Sequence, residues 1–164
     1  MRVEPEITGV LIELTTTERR LLSTLLAQYD ELVHDQLDDA DLTADPALAR
    51  LFPNAYPDDD AAAAEFRRYT RDGLVERKTA NSGRISAALT AASDDGRLTV
   101  LREDAEHWLP TLTDLRLVLA ERLGIHHDDD PLPESELAEV YQWLGELQWE
   151  LVEALDGWSW TDDT

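Results

Sequence analysis

The stretch Thr15–Leu37, TTTERRLLSTLLAQYDELVHDQL, decides how the rest of the chain is read. Leu21, Leu22, Leu25, Leu26, Tyr29, Leu32, Val33 and Leu37 recur at helical spacing and form one apolar stripe, with charged residues opposite. Ahead of the stripe, Thr15 can cap the first turn while Glu18, three residues on, reaches back to its amide, the capping-box arrangement. The spacing predicts a helix over 16–38. Such a helix has to bury its stripe against other elements.

Upstream, Val10, Ile12 and Leu14 alternate with Leu11 and Glu13, so residues 7–14 read as a short strand. Downstream, residues 38–45 are acidic and turn-like, and Asp45-Pro46 opens a short helix with proline at its preferred first position and Leu48, Leu51 and Phe52 facing inward. Pro53 and Pro57 bracket an irregular turn. Asp58, Asp59 and Asp60 then place acids at the positive end of a new helix, whose buried face is expected to carry Phe66, Tyr69 and Val75. Asn81-Ser82-Gly83 predicts a break, followed by a helix over 83–93 bearing Ile85, Ala88, Leu89 and Ala92.

After the turn signal Asp94-Asp95-Gly96, Arg97–Leu101 reads as a second strand. An acid-capped helix follows from about Glu103, with Trp108, Leu109, Leu112, Leu115, Leu119 and Leu123 on its stripe and a stop at Gly124. Pro110 is expected to kink it. An acidic loop, 126–131, leads to a last helix over 133–156. That helix is marked by Leu137, Tyr141, Leu144, Leu147, Leu151 and Leu155, and its apolar arc is widened by Val140, Trp143, Trp149 and Val152. An acidic tail, 157–164, closes the chain. Strand, acid-capped start and long helix thus occur twice, at 7–38 and 97–124, as an architectural echo. The expected fold is mainly α (α+β with minor β): five to six helices around one core, with a small two-stranded β ribbon, in a single domain spanning 1–164.

Composition bounds the chemistry. A chain of 164 residues can bury a real core without staples. It has no cysteine, which removes disulfides, thiolate metal sites and thiol redox chemistry from this chain. No apolar run approaches the roughly 20 residues that span a bilayer. Glu4 and Glu6 interrupt any signal-like start, so a cytoplasmic location is expected. The charge is 36 acidic against 14 basic residues, net −22, and Lys78 is the only lysine. Such a surface is repelled by nucleic acid and by anionic membrane. The most basic stretch, Arg67, Arg68, Arg71, Arg77 and Lys78, is interleaved with Glu65, Asp72 and Glu76, which makes a mixed-charge face.

Three constellations stand out. His126-His127 with Asp128, Asp129 and Asp130 is the one ligand-rich cluster, but it lacks helical HxxxH spacing and reads chiefly as a solvated loop, so no metal site is assigned. Arg116 falls on the apolar face of its helix and needs a partner, with Asp72, Glu65 and Asp114 as candidates for a structural ion pair. Trp143, Trp149, Trp158 and Trp160 exceed what core filling requires and form a candidate partner-binding set. No catalytic signature is present, and no cofactor is expected.

The segments LTDLRLVLAERLG (Leu112–Gly124) and RLFPNAYPDDDAAAAEFRRYT (Arg50–Thr70) resemble an actinobacterial family filed as a domain of unknown function and sometimes named oxidative-stress-responsive transcriptional regulators. The resemblance runs from the first strand to Leu151–Leu155. It implies a cytosolic regulator acting with a sigma factor near genes of sulfur metabolism. Without cysteine this chain departs from any thiol sensor, and its charge opposes direct DNA reading.

The resulting expectation is a non-enzymatic regulatory or adaptor protein that works by protein–protein contact, with a sigma-factor-type partner and a homodimer both compatible. Alternatives are a metal-binding or enzymatic protein centred on His126-His127, and a DNA-binding regulator using the Arg67–Lys78 helix.

Overall fold

In a computed structural model, which describes residues 1–38, 45–53 and 58–157, the elements run β1 (Arg2–Pro5), β2 (Gly9–Glu13), α1 (Thr16–Asp38), α2 (Pro46–Leu51), α3 (Asp60–Ala91), β3 (Arg97–Leu101), α4 (Arg102–Leu123) and α5 (Glu136–Asp156). The architecture is mainly helical with a minor sheet, as expected. The capping box forms as read: the Glu18 amide donates to Thr15 Oγ1 at 3.2 Å, and the Thr15 amide donates to Glu18 Oε2 at 2.8 Å. The turn-like segment 39–44 and the turn from Asn54 to Pro57 lie outside the described residues, as does the tail from Trp158 onward.

The ribbon has a third strand. The sheet order is β1-β2-β3, antiparallel throughout, with Val3 opposite Ile12 and Ile12 opposite Leu98. Arg2–Pro5 carries two charged residues and a proline, so it gives no strand signal by itself. It becomes a strand because Glu6 and Gly9 close a tight turn, with the Glu6 amide donating to the Gly9 carbonyl at 2.8 Å. One face of the sheet, with Val10, Ile12, Leu98 and Val100, is buried under the helices. The other carries Arg97 and Glu13 paired at 2.6 Å.

The expected break at Asn81-Ser82-Gly83 is absent, and α3 runs unbroken for 32 residues. Ser82 is fully buried, and its single hydroxyl hydrogen is shared between the Asp30 carboxylate of α1 and the Thr79 carbonyl. Those bonds satisfy it inside the helix, so packing on α1 overrides the local breaker tendency. Gly83 faces open space.

Phe66 and Val75 are nine positions apart, about 180° around a helix, so they cannot share one face. Val75, Ser82, Ile85 and Leu89 share the buried side, which turns Phe66 and Tyr69 outward, at 39% and 81% exposure. The expectation that these two aromatics are core residues is thereby corrected. Pro110 lies well inside α4, so that helix starts at Arg102 and continues through the proline.

The core is one contiguous cluster with Trp108 fully enclosed. Helix α5 contributes Leu144, Leu147 and Leu151, and burying each of these side chains is worth about 1.5–3 kcal/mol. That outweighs the propensity cost of Gly145, which is about 1 kcal/mol. Among the described residues, no helix is long and apolar enough to cross a membrane.

Two left-handed glycines differ in a testable way. Gly96 has φ 81°, and a Cβ there would meet the Leu14 carbonyl oxygen at 2.0 Å, whereas Gly124 has φ 71° with nothing nearby. Gly124→Ala is expected to cost about 1 kcal/mol through backbone strain. Gly96→Ala is expected to cost at least about 3 kcal/mol, since main-chain atoms must move as well. Urea unfolding of the two variants checks the order, and equal losses would contradict it.

Candidate protein-binding surfaces

Asp114 of α4 sits almost fully enclosed where α1, α3 and α4 meet. A carboxylate in that position requires donors. The Tyr29 hydroxyl donates to Asp114 Oδ2 at 2.7 Å, and Lys78 Nζ donates to the same oxygen at 2.7 Å. Lys78 also lies 5.6 Å from the centre of the Phe52 ring, next to α2. Burial pushes the Tyr29 phenol well above its ordinary value, and the Asp114 charge adds to the shift. The single lysine of the chain is therefore a structural cation.

This revises the expected ion pair. Asp114 takes Lys78, and Asp72 is exposed beside Arg71 at 4.0 Å. Arg116 instead points across to α5, where Nη1 donates to Gln148 Oε1 at 3.1 Å and Nη2 to the Tyr141 hydroxyl at 3.3 Å. Its guanidinium lies 4.8 Å from the Tyr141 ring centre. Gly145 gives it room, since a Cβ there would already touch Arg116 Cζ at 3.5 Å. The cation on the apolar face is held by neutral groups and an aromatic ring. Gln148 completes the seam by donating to Thr113 Oγ1 at 2.6 Å.

The tryptophans divide. Trp143 is partly buried, and its indole N–H donates to Glu18 Oε1 at 3.2 Å, where the N-terminal amine also pairs at 3.3 Å. It therefore fastens α5 to the capping box of α1. Trp149 is 67% exposed on α5. Trp158 and Trp160 lie outside the described residues.

A groove of about 350 Å³ opens between α1 and the C-terminal half of α4. Leu25, Leu32, Leu115, Val118, Leu119 and Leu137 line it, with Gln28, Glu31 and Arg122 at its edges. Sequence reading assigned these leucines to the core stripe and missed the groove. The signal for it was the excess of apolar positions on α4 over what α1 can cover.

The His126-His127 loop is organised from within. Both backbone amides donate to Asp130 Oδ2, at 2.7 and 2.9 Å, and these bonds hold the Asp130 carboxyl below the ordinary range. The His126 ring faces Arg50, which pairs with Glu121 at 2.9 Å. Among the described residues, no group of three potential ligands is placed to hold a metal ion. In the basic helix, the Arg67 and Arg68 side chains lie outside the described residues, and Lys78 is turned inward.

A sequence profile described as a domain of unknown function, DUF2017, matches residues 1–155. A Mycobacterium leprae protein provisionally named oxidative stress regulator AosR is 34% identical, covering 68% of this chain and 58% of its own length. Proteins named oxidative stress regulator AosR from Mycobacterium bovis and Mycobacterium tuberculosis are 33% identical, covering 79% of this chain and 67% of their own lengths. This chain thus spans between about half and two thirds of the relatives it matches. No solved structure matches it.

Two expectations follow from the polar contacts. Lys78→Met, which strands the Asp114 carboxylate, should lose about 3–5 kcal/mol of stability, while Asp72→Ala at the exposed site should change it by no more than about 0.5 kcal/mol. Chemical denaturation measures both, and a near-neutral Lys78→Met would refute the structural role. Separately, the two hydrogen bonds from Arg122, at 2.9 and 2.6 Å, hold the Asp45 carboxyl below its usual value, helped by the Ala47 amide and opposed by burial. A carboxyl depressed in the folded state adds stability above the ordinary aspartate value of about 3.9, and this is lost as pH falls through its lower folded value. In Arg122→Ala, NMR titration should find Asp45 moved upward. An unchanged titration would count against the pair.

Proposed function

Because the chain belongs to the DUF2017 family, we propose that it is a non-enzymatic regulatory protein that acts by binding a protein partner, a sigma factor or a similar component of transcription. The regulatory part of this reading is supported by the names of its mycobacterial relatives. The mode of action is supported by one observation above the others. Trp149 presents a largely exposed indole on α5, and tryptophan is among the residue types that dominate interface energetics.

Net charge −22 favours a partner with a basic face and speeds encounter by electrostatic steering. The same charge and the inward Lys78 oppose direct contact with DNA. Any oxidative signal reaches this chain through something other than its own thiols, since it has none. A cytoplasmic setting fits this role.

Interferometry against purified sigma factors from the same genome tests the proposal. Trp149→Ala should weaken binding by at least about 2 kcal/mol, close to 30-fold. The association rate should fall at least tenfold between roughly 50 and 500 mM salt, as the Debye length contracts. Binding that ignores the Trp149 substitution, or an association rate insensitive to salt, would overturn the reading.

A further inference from the structure

We propose that the groove between α1 and α4 is a second docking site, built for one basic amphipathic helix of a partner protein. The proposal rests on the protein-binding reading above but concerns a different surface. Along α1 the wall residues Leu25, Gln28 and Leu32 follow i, i+3, i+7, and along α4 Leu115, Val118 and Arg122 repeat that spacing. Each wall is therefore about two turns long, roughly 10 Å, the span over which a docked helix presents its own i, i+3/i+4 and i+7 anchors.

The polar groups decide between a helix and a small ligand. A small-molecule pocket places a few polar groups pointing into its interior. Here the one hydroxyl in the wall, that of Tyr29, is spent on Asp114. The remaining polar groups stand on the rim, where they flank an apolar floor.

The rim also sets the sign of the partner. Arg122 is neutralised by Asp45 at 2.6 Å, which leaves the exposed Glu31 as the uncompensated charge among the groove's lining residues, on a chain of net charge −22. Lysines or arginines flanking an apolar stripe complement that arrangement. A second copy of this chain would bring another −22 charges to the rim, and the segment after Gly157 carries Asp162 and Asp163, so neither has the right sign.

Calorimetry with three 14-residue peptides tests the site: a Leu/Lys amphipathic helix, its Leu/Glu counterpart, and a scramble of the Leu/Lys composition. The Leu/Lys helix should bind one-to-one and at least tenfold tighter than either other peptide, and methyl shift changes should centre on Leu32, Val118 and Leu137. Val118→Asp should abolish binding. Glu31→Arg, an exposed change that leaves the fold intact, should weaken it at least tenfold, while Asp94→Arg, the same charge change in the exposed turn between α3 and β3 and outside the groove lining, should not.

Equal binding of the scramble or of the acidic helix, equal effects of Glu31→Arg and Asp94→Arg, or shifts mapped elsewhere would overturn the proposal. So would a homodimer dissolved by Val118→Asp, which would give the groove to a second copy. Sigma-factor binding lost in Trp149→Ala while no peptide engages the groove would remove this site and leave the earlier reading standing. Peptide binding in the groove with sigma-factor binding indifferent to Trp149 would do the reverse.

Discussion

An ionised carboxylate inside a protein is tolerated only when donors replace the water it gave up, and Asp114 meets that condition with partners from two other helices. Tyr29 comes from α1 and Lys78 from α3, while Asp114 itself belongs to α4. The same ammonium lies over Phe52 beside α2. Four helices are therefore registered around one charge pair. Shifting α1 or α3 by a single residue would strand the carboxylate, so the pair acts on register as well as on stability. Ser82 and Asp30 repeat the α1–α3 link one turn further on.

Elements carried by periodicity were legible in the sequence. Helix α1 with its capping box, strand β3 and the stripes of α4 and α5 all follow from spacing alone. What was not legible depended on partners. Strand β1 exists because β2 is available to pair with it, although Arg2–Pro5 has poor strand composition. Ser82-Gly83 is a breaker locally and a helix interior once Asp30 receives the hydroxyl. Phe66 and Tyr69 face outward because nine and six positions separate them from the buried Val75, about 180° and 120° around the helix.

At the candidate surfaces, Arg116 was correctly read as a cation needing company, but counting charges suggested a carboxylate where the structure supplies a ring and an amide. Asp114 was named with the wrong cation. Trp143 and Trp149 flank the same helix, and only the position of Glu18 reveals that one is a fastener while the other stands exposed.

Several of the few cations are committed to pairs with acids, some buried and some at the surface. Lys78 is consumed by Asp114, Arg50 by Glu121, Arg122 by Asp45 and Arg97 by Glu13. Bases committed to these pairs cannot offset the surplus of acids, so the excess negative charge is carried by the surface. Of the basic residues between Arg67 and Lys78, the lysine is committed inward to Asp114.

Helix α4 ties these features together. Arg116 and Val118 are two residues apart, about 200° around the helix, so one flank closes on α5 while the other opens as the groove. Tyr29 belongs to both the groove wall and the buried pair, since its ring lines the cavity and its hydroxyl holds Asp114. A groove occupant would therefore lie close to the residue that holds the central carboxylate. Occupation of the groove and integrity of the helix crossing are thus linked through one side chain, and a ligand that binds only the folded arrangement stabilises that crossing by mass action.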